Sequence, residues 1–144
     1  MSVSIYDAET QNTSDRNAQK YKDLDLFFKR VTSTKDVNKL TDITAVKRSV
    51  RNLILTNHYE KPFHPEIGSG VRDLLFEPMT PVTANYLMTV IEDTINNFEP
   101  RADLISVKAV PDLDRNNYEV SIQFYIINIP SELIDLSIFL EVLR

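Results

Sequence analysis

The 144-residue sequence has no cysteine, no tryptophan and only two glycines, Gly68 and Gly70. Without cysteine, neither a disulfide nor a thiolate metal site can form. Apolar runs such as Tyr125-Ile126-Ile127 are far shorter than the about 20 residues that cross a bilayer. The polar stretch 1–21 also lacks the apolar core of a secretory signal. We therefore expect no membrane partner.

A basic stripe is also missing, and the formal net charge is −5. Because neutralising phosphates dominates affinity for nucleic acids, a nucleic-acid partner is disfavoured. The remaining composition, 42% hydrophobic and 26% charged, is typical of a globular protein of one domain.

Two segments carry apolar residues at helical spacing and predict helices over 43–56 and 81–98. Thr41 or Asp42 can cap the first helix, and Thr80 with Pro81 can begin the second. A shorter helix follows Gly70. The predicted apolar faces are Ile43, Val46, Val50, Leu53 and Ile54 in the first helix, and Val82, Tyr86, Leu87, Val90, Ile91, Ile95 and Phe98 in the second.

Alternating patterns predict three later strands over 103–110, 118–127 and 136–143, and two short ones near 23–28 and 37–40. In the first long strand, Ile105, Val107 and Ala109 are expected to share the buried face. Helices followed by strands favour a single α+β domain, with two main helices packed on a mostly antiparallel sheet. We place this domain at 23–144 and a polar N-terminal arm, flexible or ordered on a partner, at 1–22.

The corner Glu99-Pro100-Arg101 joins the long helix to the first long strand. Pro100 lacks an N–H and forces the helix to stop, so an acid and a base flank a rigid turn that neither element is expected to cover. The corner is either an interaction site or a simple helix stop with two solvated charges. An exposed Glu99–Arg101 pair would contribute only about 0–1 kcal/mol.

Four apolar residues fall on the face of the last two strands opposite the predicted core: Tyr125, Ile127, Phe139 and Leu143. A sheet with one wet face should be polar there. Either helices or the N-terminal arm cover these side chains, or they form an apolar patch reserved for another protein chain.

Residues for catalysis are hard to assemble. A glycosidase pair could be drawn from the carboxylates Glu60, Glu66, Glu77, Glu92 and Asp93, but no tryptophan is present to stack on a sugar. His58 and His64 lack metal-ligand spacing, and Gly68-Ser69-Gly70 lacks the lysine of a phosphate-binding loop. We expect no catalytic residue, cofactor or metal.

Several motifs occur in an order that resembles the contractile-tail baseplate wedge family, which includes the sheath-initiating wedge protein of myoviruses and its type VI secretion counterpart. They are Leu53-Ile54-Leu55-Thr56, Lys61-Pro62-Phe63-His64-Pro65-Glu66-Ile67-Gly68, Leu74-Leu75-Phe76-Glu77 and Asn97-Phe98-Glu99-Pro100-Arg101. The resemblance covers roughly residues 43–142. The polar arm at 1–22 is longer than the family pattern.

The resemblance implies a structural subunit of the virion tail baseplate, present in several copies. It implies that Glu99, Pro100 and Arg101 face the core bundle of the wedge proteins. It also implies that the strands near the chain ends resemble part of a tail-sheath subunit, which the sheath joins by strand addition; we expect Tyr125, Ile127, Phe139 and Leu143 to form that joining surface. The alternatives are a peptidoglycan-degrading, lysozyme-like enzyme and a general protein adaptor.

Overall fold

A computed structural model of the protein describes residues 21–33, 35–129 and 133–143. Residues 1–20 of the predicted arm lie outside this part of the chain. The elements, in chain order, are β1 (Lys22–Leu24), β2 (Lys39–Thr41), α1 (Asp42–Leu55), α2 (Val71–Leu74), α3 (Pro81–Phe98), β3 (Ala102–Asp112), β4 (Asn117–Ile126) and β5 (Ile134–Glu141).

Helix α3 begins and ends where the sequence predicts. The Thr80 hydroxyl oxygen accepts a hydrogen bond from the Thr83 N–H at 3.1 Å, and Pro81 occupies the first turn. The buried face consists of Ala84, Leu87, Ile91, Thr94 and Ile95. Val82 and Tyr86, predicted on this face, are instead 76% and 57% exposed. At about 100° per residue they lie on the opposite side of the helix from Ile91.

Helix α1 contributes the second apolar stripe of the core. Its buried residues are Ala45, Val46, Val50, Leu53 and Ile54. Ile43, which was predicted with them, is 41% exposed because it lies in the first turn, ahead of the packed part of the helix. Thr41 is the N-cap residue as predicted, although its side chain makes no capping hydrogen bond.

Strands β3, β4 and β5 form an antiparallel sheet in chain order. One face is apolar on all three strands, and α3 packs against it at β3. The register runs from Leu104 opposite Phe124 to Ser106 opposite Gln123, which leaves Ile105 unmatched in a β-bulge. The prediction that Ile105 faces the core is therefore wrong: the extra residue turns its side chain outward, where it is 53% exposed.

A single core joins the sheet and the helices. Tyr118, Val120, Ile122, Phe124 and Ile126 of β4 form its centre, together with the buried faces of α1 and α3. The predicted α+β fold is confirmed. The short strands β1 and β2 form a separate hairpin; it is smaller than predicted, because the chain turns after Leu24 and Leu26 and Phe28 remain exposed.

Replacing Ile91 by Ala should destabilise the protein by about 2–5 kcal/mol, because the side chain is fully buried and its removal leaves a cavity. Val82→Ala, on the exposed side of the same helix, should change stability by less than about 0.5 kcal/mol. Urea unfolding of both variants measures the difference, and equal losses would contradict the orientation of α3.

Candidate interaction site

The Glu99-Pro100-Arg101 corner is a compact turn between α3 and β3. The Glu99 N–H donates to the Ile95 carbonyl at 2.9 Å, which ends the helix, and the Ala102 N–H donates to the Glu99 carbonyl at 3.1 Å. Pro100 is exposed at the tip and cannot continue the helix. Glu99 and Arg101 are thus brought onto the same side of the turn.

Glu99 is buried rather than solvated. Its side chain lies under α1, where the Ser49 hydroxyl donates a hydrogen bond to Oε2. Only 3% of the residue is exposed. The prediction that neither adjoining element covers the corner is right for Pro100 and wrong for Glu99, because a third element, α1, covers the carboxylate.

Arg101 donates two parallel hydrogen bonds to the Glu99 carboxylate. Nε donates to Oε1 at 2.6 Å and Nη2 donates to Oε2 at 2.9 Å. Nη1 extends to the Asp23 carboxylate of β1, at 3.2 Å from Oδ2 and 3.4 Å from Oδ1, and the Tyr21 ring lies 5.7 Å from the guanidinium carbon. The side chain is 24% exposed. Arg101 therefore links the corner to the N-terminal hairpin.

The electrostatics of this pair keep both groups charged. Burial by itself raises the pKa of Glu99, but the hydrogen bonds from Arg101 and Ser49 and the charge of Arg101 outweigh it and lower the pKa below its usual value. The Glu99 carboxylate correspondingly raises the pKa of Arg101 above its already high usual value. Glu99 is therefore ionised at neutral pH and cannot act as a general acid.

Arg101 lines a groove of about 530 Å³ between the hairpin, α1 and the corner. Four lining residues are cationic, Lys22, Arg48, Lys61 and Arg101, and one is acidic, Asp23. Five are apolar: Leu24, Leu26, Leu53, Ile67 and Phe98. Arg101 is paired with Glu99 and Asp23, and Arg48 with Asp25, so Lys22 and Lys61 are the lining cations outside the ion pairs of the described residues. The groove is a partly apolar surface with this local positive charge.

Arg48 does not belong to a simple solvated face. Its guanidinium carbon lies 4.3 Å from the centre of the Phe27 ring, and its Nη1 lies 3.5 Å from Oδ1 of the buried Asp25. Of the other basic residues on α1, Lys47 is half-buried and Arg51 is exposed to solvent. Sequence reasoning missed Asp23 and Asp25 as partners of the two arginines, and Ser49 as a partner of Glu99. The alternation of acids at 23 and 25 was the available signal, but their partners are distant in sequence.

The four residues predicted for sheath joining are not gathered into one patch. Phe139 lies opposite Glu119, six residues along β4 from Tyr125, which separates them by about 20 Å. Gln123 and Ser121 lie between them on the same face. Leu143 is half-buried against the core, and its N–H donates to the Leu75 carbonyl at 2.9 Å.

Tyr125, Ile127 and Phe139 are 42%, 44% and 58% exposed. Glu119 of β4 lies between Phe139 of β5 and Val110 of β3, and Val110 is also exposed. The outer face of the sheet is thus mainly polar, with small apolar groups at its two ends.

The carboxylates considered for a glycosidase do not form an acid–nucleophile pair. Glu60, Glu66, Glu77 and Asp93 are exposed, and Glu92 is half-buried. The pKa of Glu66 is lowered, by a backbone hydrogen bond and by His64 at 3.1 Å, whereas a general acid needs a raised pKa. The described residues contain no group of three His, Asp or Glu that could hold a metal ion. No helix in the described ranges is long and apolar enough to span a membrane.

Comparison with known proteins confirms the family resemblance. Residues 41–130 match the protein family described as Baseplate wedge protein gp25. The chain is 35% identical over 113 residues to baseplate wedge protein gp25 of Enterobacteria phage T4, covering 78% of this chain and 85% of that protein.

Two solved structures share the fold. A chain of the anti-feeding prophage baseplate has 26% identity and a TM-score of 0.68, covering 77% of this chain and 89% of that one. A putative tail lysozyme from Geobacter sulfurreducens has 20% identity and a TM-score of 0.63, covering 69% and 89%. At 20% identity, the second likeness concerns the fold alone.

Replacing Glu99 by Gln should cost about 1–3 kcal/mol of stability at pH 7, because it removes the buried charge partner of Arg101, which keeps the Asp23 carboxylate and partial contact with solvent. The lowered pKa of Glu99 stabilises the fold above the unfolded-state value of about 4.3, and this contribution is lost as the pH falls through the folded-state pKa. Urea unfolding between pH 7 and pH 3 should show the difference between wild type and variant narrowing below pH of about 4.3. A difference independent of pH would contradict an ionised Glu99.

Proposed function

Because this chain belongs to the baseplate wedge protein gp25 family, we propose that it builds a contractile-tail baseplate wedge by binding the wedge core proteins at the Glu99–Arg101 corner and its groove. The chain is a structural component of the virion tail baseplate. The observation that carries the proposal is the groove beside Arg101, which is lined by apolar side chains and by the cations Lys22 and Lys61.

The chemistry of the groove fits an amphipathic helical segment with acidic residues. The apolar lining residues would receive the apolar face of such a helix, as in other helix-in-groove complexes. Arg101 makes four hydrogen bonds within the chain, which leave at least one of its five N–H donors for a carboxylate or a helix-end carbonyl. Arg48 is held beside the groove by its ion pair with the buried Asp25.

Arg101 is a difficult residue for testing this interface. From the sequence, Arg101→Ala is expected to fold normally and lose wedge binding, with partial rescue by Arg101→Lys. In the structure, the same substitution also removes the partner of buried Glu99, so it should unfold early as well. Loss of binding in that variant would not separate the two causes. A groove residue that holds nothing else in place is a better probe.

Leu24→Asp should weaken binding of the wedge core proteins by at least about tenfold, because it puts a charge into the wall of the groove where an apolar contact is expected. The side chain is 61% exposed, so the melting temperature should stay near that of wild type. The matched control is Leu113→Asp, 74% exposed in the turn at the other end of β3, which should bind normally.

Pull-down and calorimetry with the cognate wedge core proteins, beside melting curves, provide the measurement. Unchanged binding of Leu24→Asp would remove the groove from the interface. Failure of wild-type protein to bind any wedge core chain would favour the general adaptor.

For sheath joining, we propose the open edge of β5 rather than the face of the sheet. The Val142 N–H donates to the Asn116 carbonyl at 3.0 Å, so the backbone of even-numbered β5 residues points toward β4. The N–H and C=O groups of Asp135, Ser137, Phe139 and Glu141 then point away from it. No described strand pairs with this edge, and such a row of backbone groups is a template for strand addition. Phe139 would lie beside the added strand.

Removing β5 is not a usable test, because Ile134, Ile138, Leu140 and Val142 are buried in the core. Ser137→Pro is more selective: it removes one outward N–H and leaves the ladder with β4 intact, which edge strands tolerate. The variant should fold and bind the wedge core but should not support sheath assembly on baseplates, whereas Ser137→Ala should. Electron microscopy of reconstituted tails checks this, and sheaths of normal length on Ser137→Pro would exclude the β5 edge.

The family match favours a structural role over peptidoglycan hydrolysis. The corner supports this choice, because its buried carboxylate is committed to Arg101 and Ser49.

A further inference from the structure

The loop between α1 and α2 presents two aromatic side chains almost entirely to solvent. In this segment, which we call the aromatic loop (residues 57–69), Phe63 is 97% exposed and Tyr59 is 86% exposed. They are the most exposed of the large apolar residues in the described chain. Neither contributes to the core, so folding gives no reason for their size.

The ends of the aromatic loop are fixed to α1. The Ser69 N–H donates to the Thr56 carbonyl at 2.8 Å, and the Ser69 hydroxyl donates to the Ile54 carbonyl at 2.5 Å. Asn57 and Ser69 also form a parallel bridge. A Cβ on Gly68 would lie 2.6 Å from the Asn57 carbonyl, so only glycine permits this close approach.

The tip of the aromatic loop is held by its own hydrogen bonds. The Tyr59 N–H donates to the Pro65 carbonyl at 3.0 Å, and Glu60 Oε2 accepts from the Asn57 N–H at 2.9 Å. Tyr59 and Phe63 both have φ of 66°, a left-handed conformation that bulky residues rarely adopt. Strain of this kind persists only where the surroundings determine the backbone, and it is common at binding sites. The two rings are therefore carried by a preorganised backbone.

Two members of the aromatic loop, Lys61 and Ile67, line the same groove as Arg101. A partner in the groove therefore also meets the loop. The carboxylate of Glu60 is used by the Asn57 N–H, and that of Glu66 by His64 at 3.1 Å. Lys61 takes part in none of the ion pairs among the described residues. The loop thus offers two exposed aromatic side chains and, between them in sequence, a lysine that lines the groove.

We propose that the aromatic loop is the second attachment point for the wedge chain that occupies the groove. This inference rests on the proposed function, and it specifies the partner: one protein whose helical segment fills the groove and whose adjoining surface has an apolar recess with an acidic rim. Phe63 and Tyr59 enter the recess and Lys61 pairs with the rim. Rigid aromatic side chains of this kind lose little entropy on binding and are frequent anchors of interfaces.

Phe63→Ser in the full-length chain should melt like wild type, because the side chain makes no core contact, and should weaken capture of the wedge core protein by at least about tenfold. Tyr59→Ser should act in the same direction. Leu113→Ser is the matched control, since it removes another largely exposed apolar side chain, 74% exposed and outside the groove lining, and it should bind normally. Wild-type affinity of Phe63→Ser overturns the proposal.

Photo-crosslinking identifies the partner directly. Benzoylphenylalanine placed at position 63 and, separately, at position 24 should crosslink to the same wedge chain in assembled wedges. Crosslinks to two different chains overturn the proposal. If Leu24→Asp weakens binding and Phe63→Ser does not, the aromatic loop is excluded while the proposed function stands. If neither variant weakens binding, the groove as the wedge site fails as well.

Discussion

The ion pair between Glu99 and Arg101 is the interaction on which the arrangement of the corner depends. Three elements meet at the Glu99 carboxylate: α1 through Ser49, the start of β3 through Arg101, and the end of α3 through Glu99 itself. Arg101 then reaches Asp23 of the hairpin. A buried carboxylate without these partners would be costly, so the elements are held in one relative arrangement. The same pair holds the guanidinium of Arg101 at the groove.

The long-range part of this arrangement could not be found from sequence. Local rules predicted the ends of α3 from Thr80 and Pro100 and the alternation in β4 correctly, because capping, proline and strand periodicity act over a few residues. The contacts of Ser49 and Asp23 with the corner join residues 50 and 78 positions apart. An acid beside a base in sequence therefore looked like an exposed pair.

The same limit explains the mistaken faces. The bulge at Ile105 adds one residue to β3 without a distinctive sequence signal. Strict alternation across the bulge therefore assigns Ile105 to the buried face, although its side chain points outward. Val82 and Tyr86 fit a broad helical stripe, but the buried face of α3 is set by where β3 lies. Tyr125 and Phe139 share a sheet face in sequence pattern, whereas register places them at opposite ends of it. Periodicity identifies helices and strands more reliably than it identifies which elements they pack against.

The attachment of the β1–β2 hairpin has a thermodynamic consequence. Leu40 of β2 is buried, but Leu24, Leu26, Phe27 and Phe28 stay largely exposed. The other contacts that attach the hairpin include two ion pairs, Asp23 with Arg101 and Asp25 with Arg48. Ionic strength weakens partly exposed ion pairs far more than it weakens a packed apolar core. We therefore expect the hairpin to open locally, with its amide protons exchanging at a free energy below that of global unfolding. Salt should then loosen one wall of the groove more than it affects the sheet and α3.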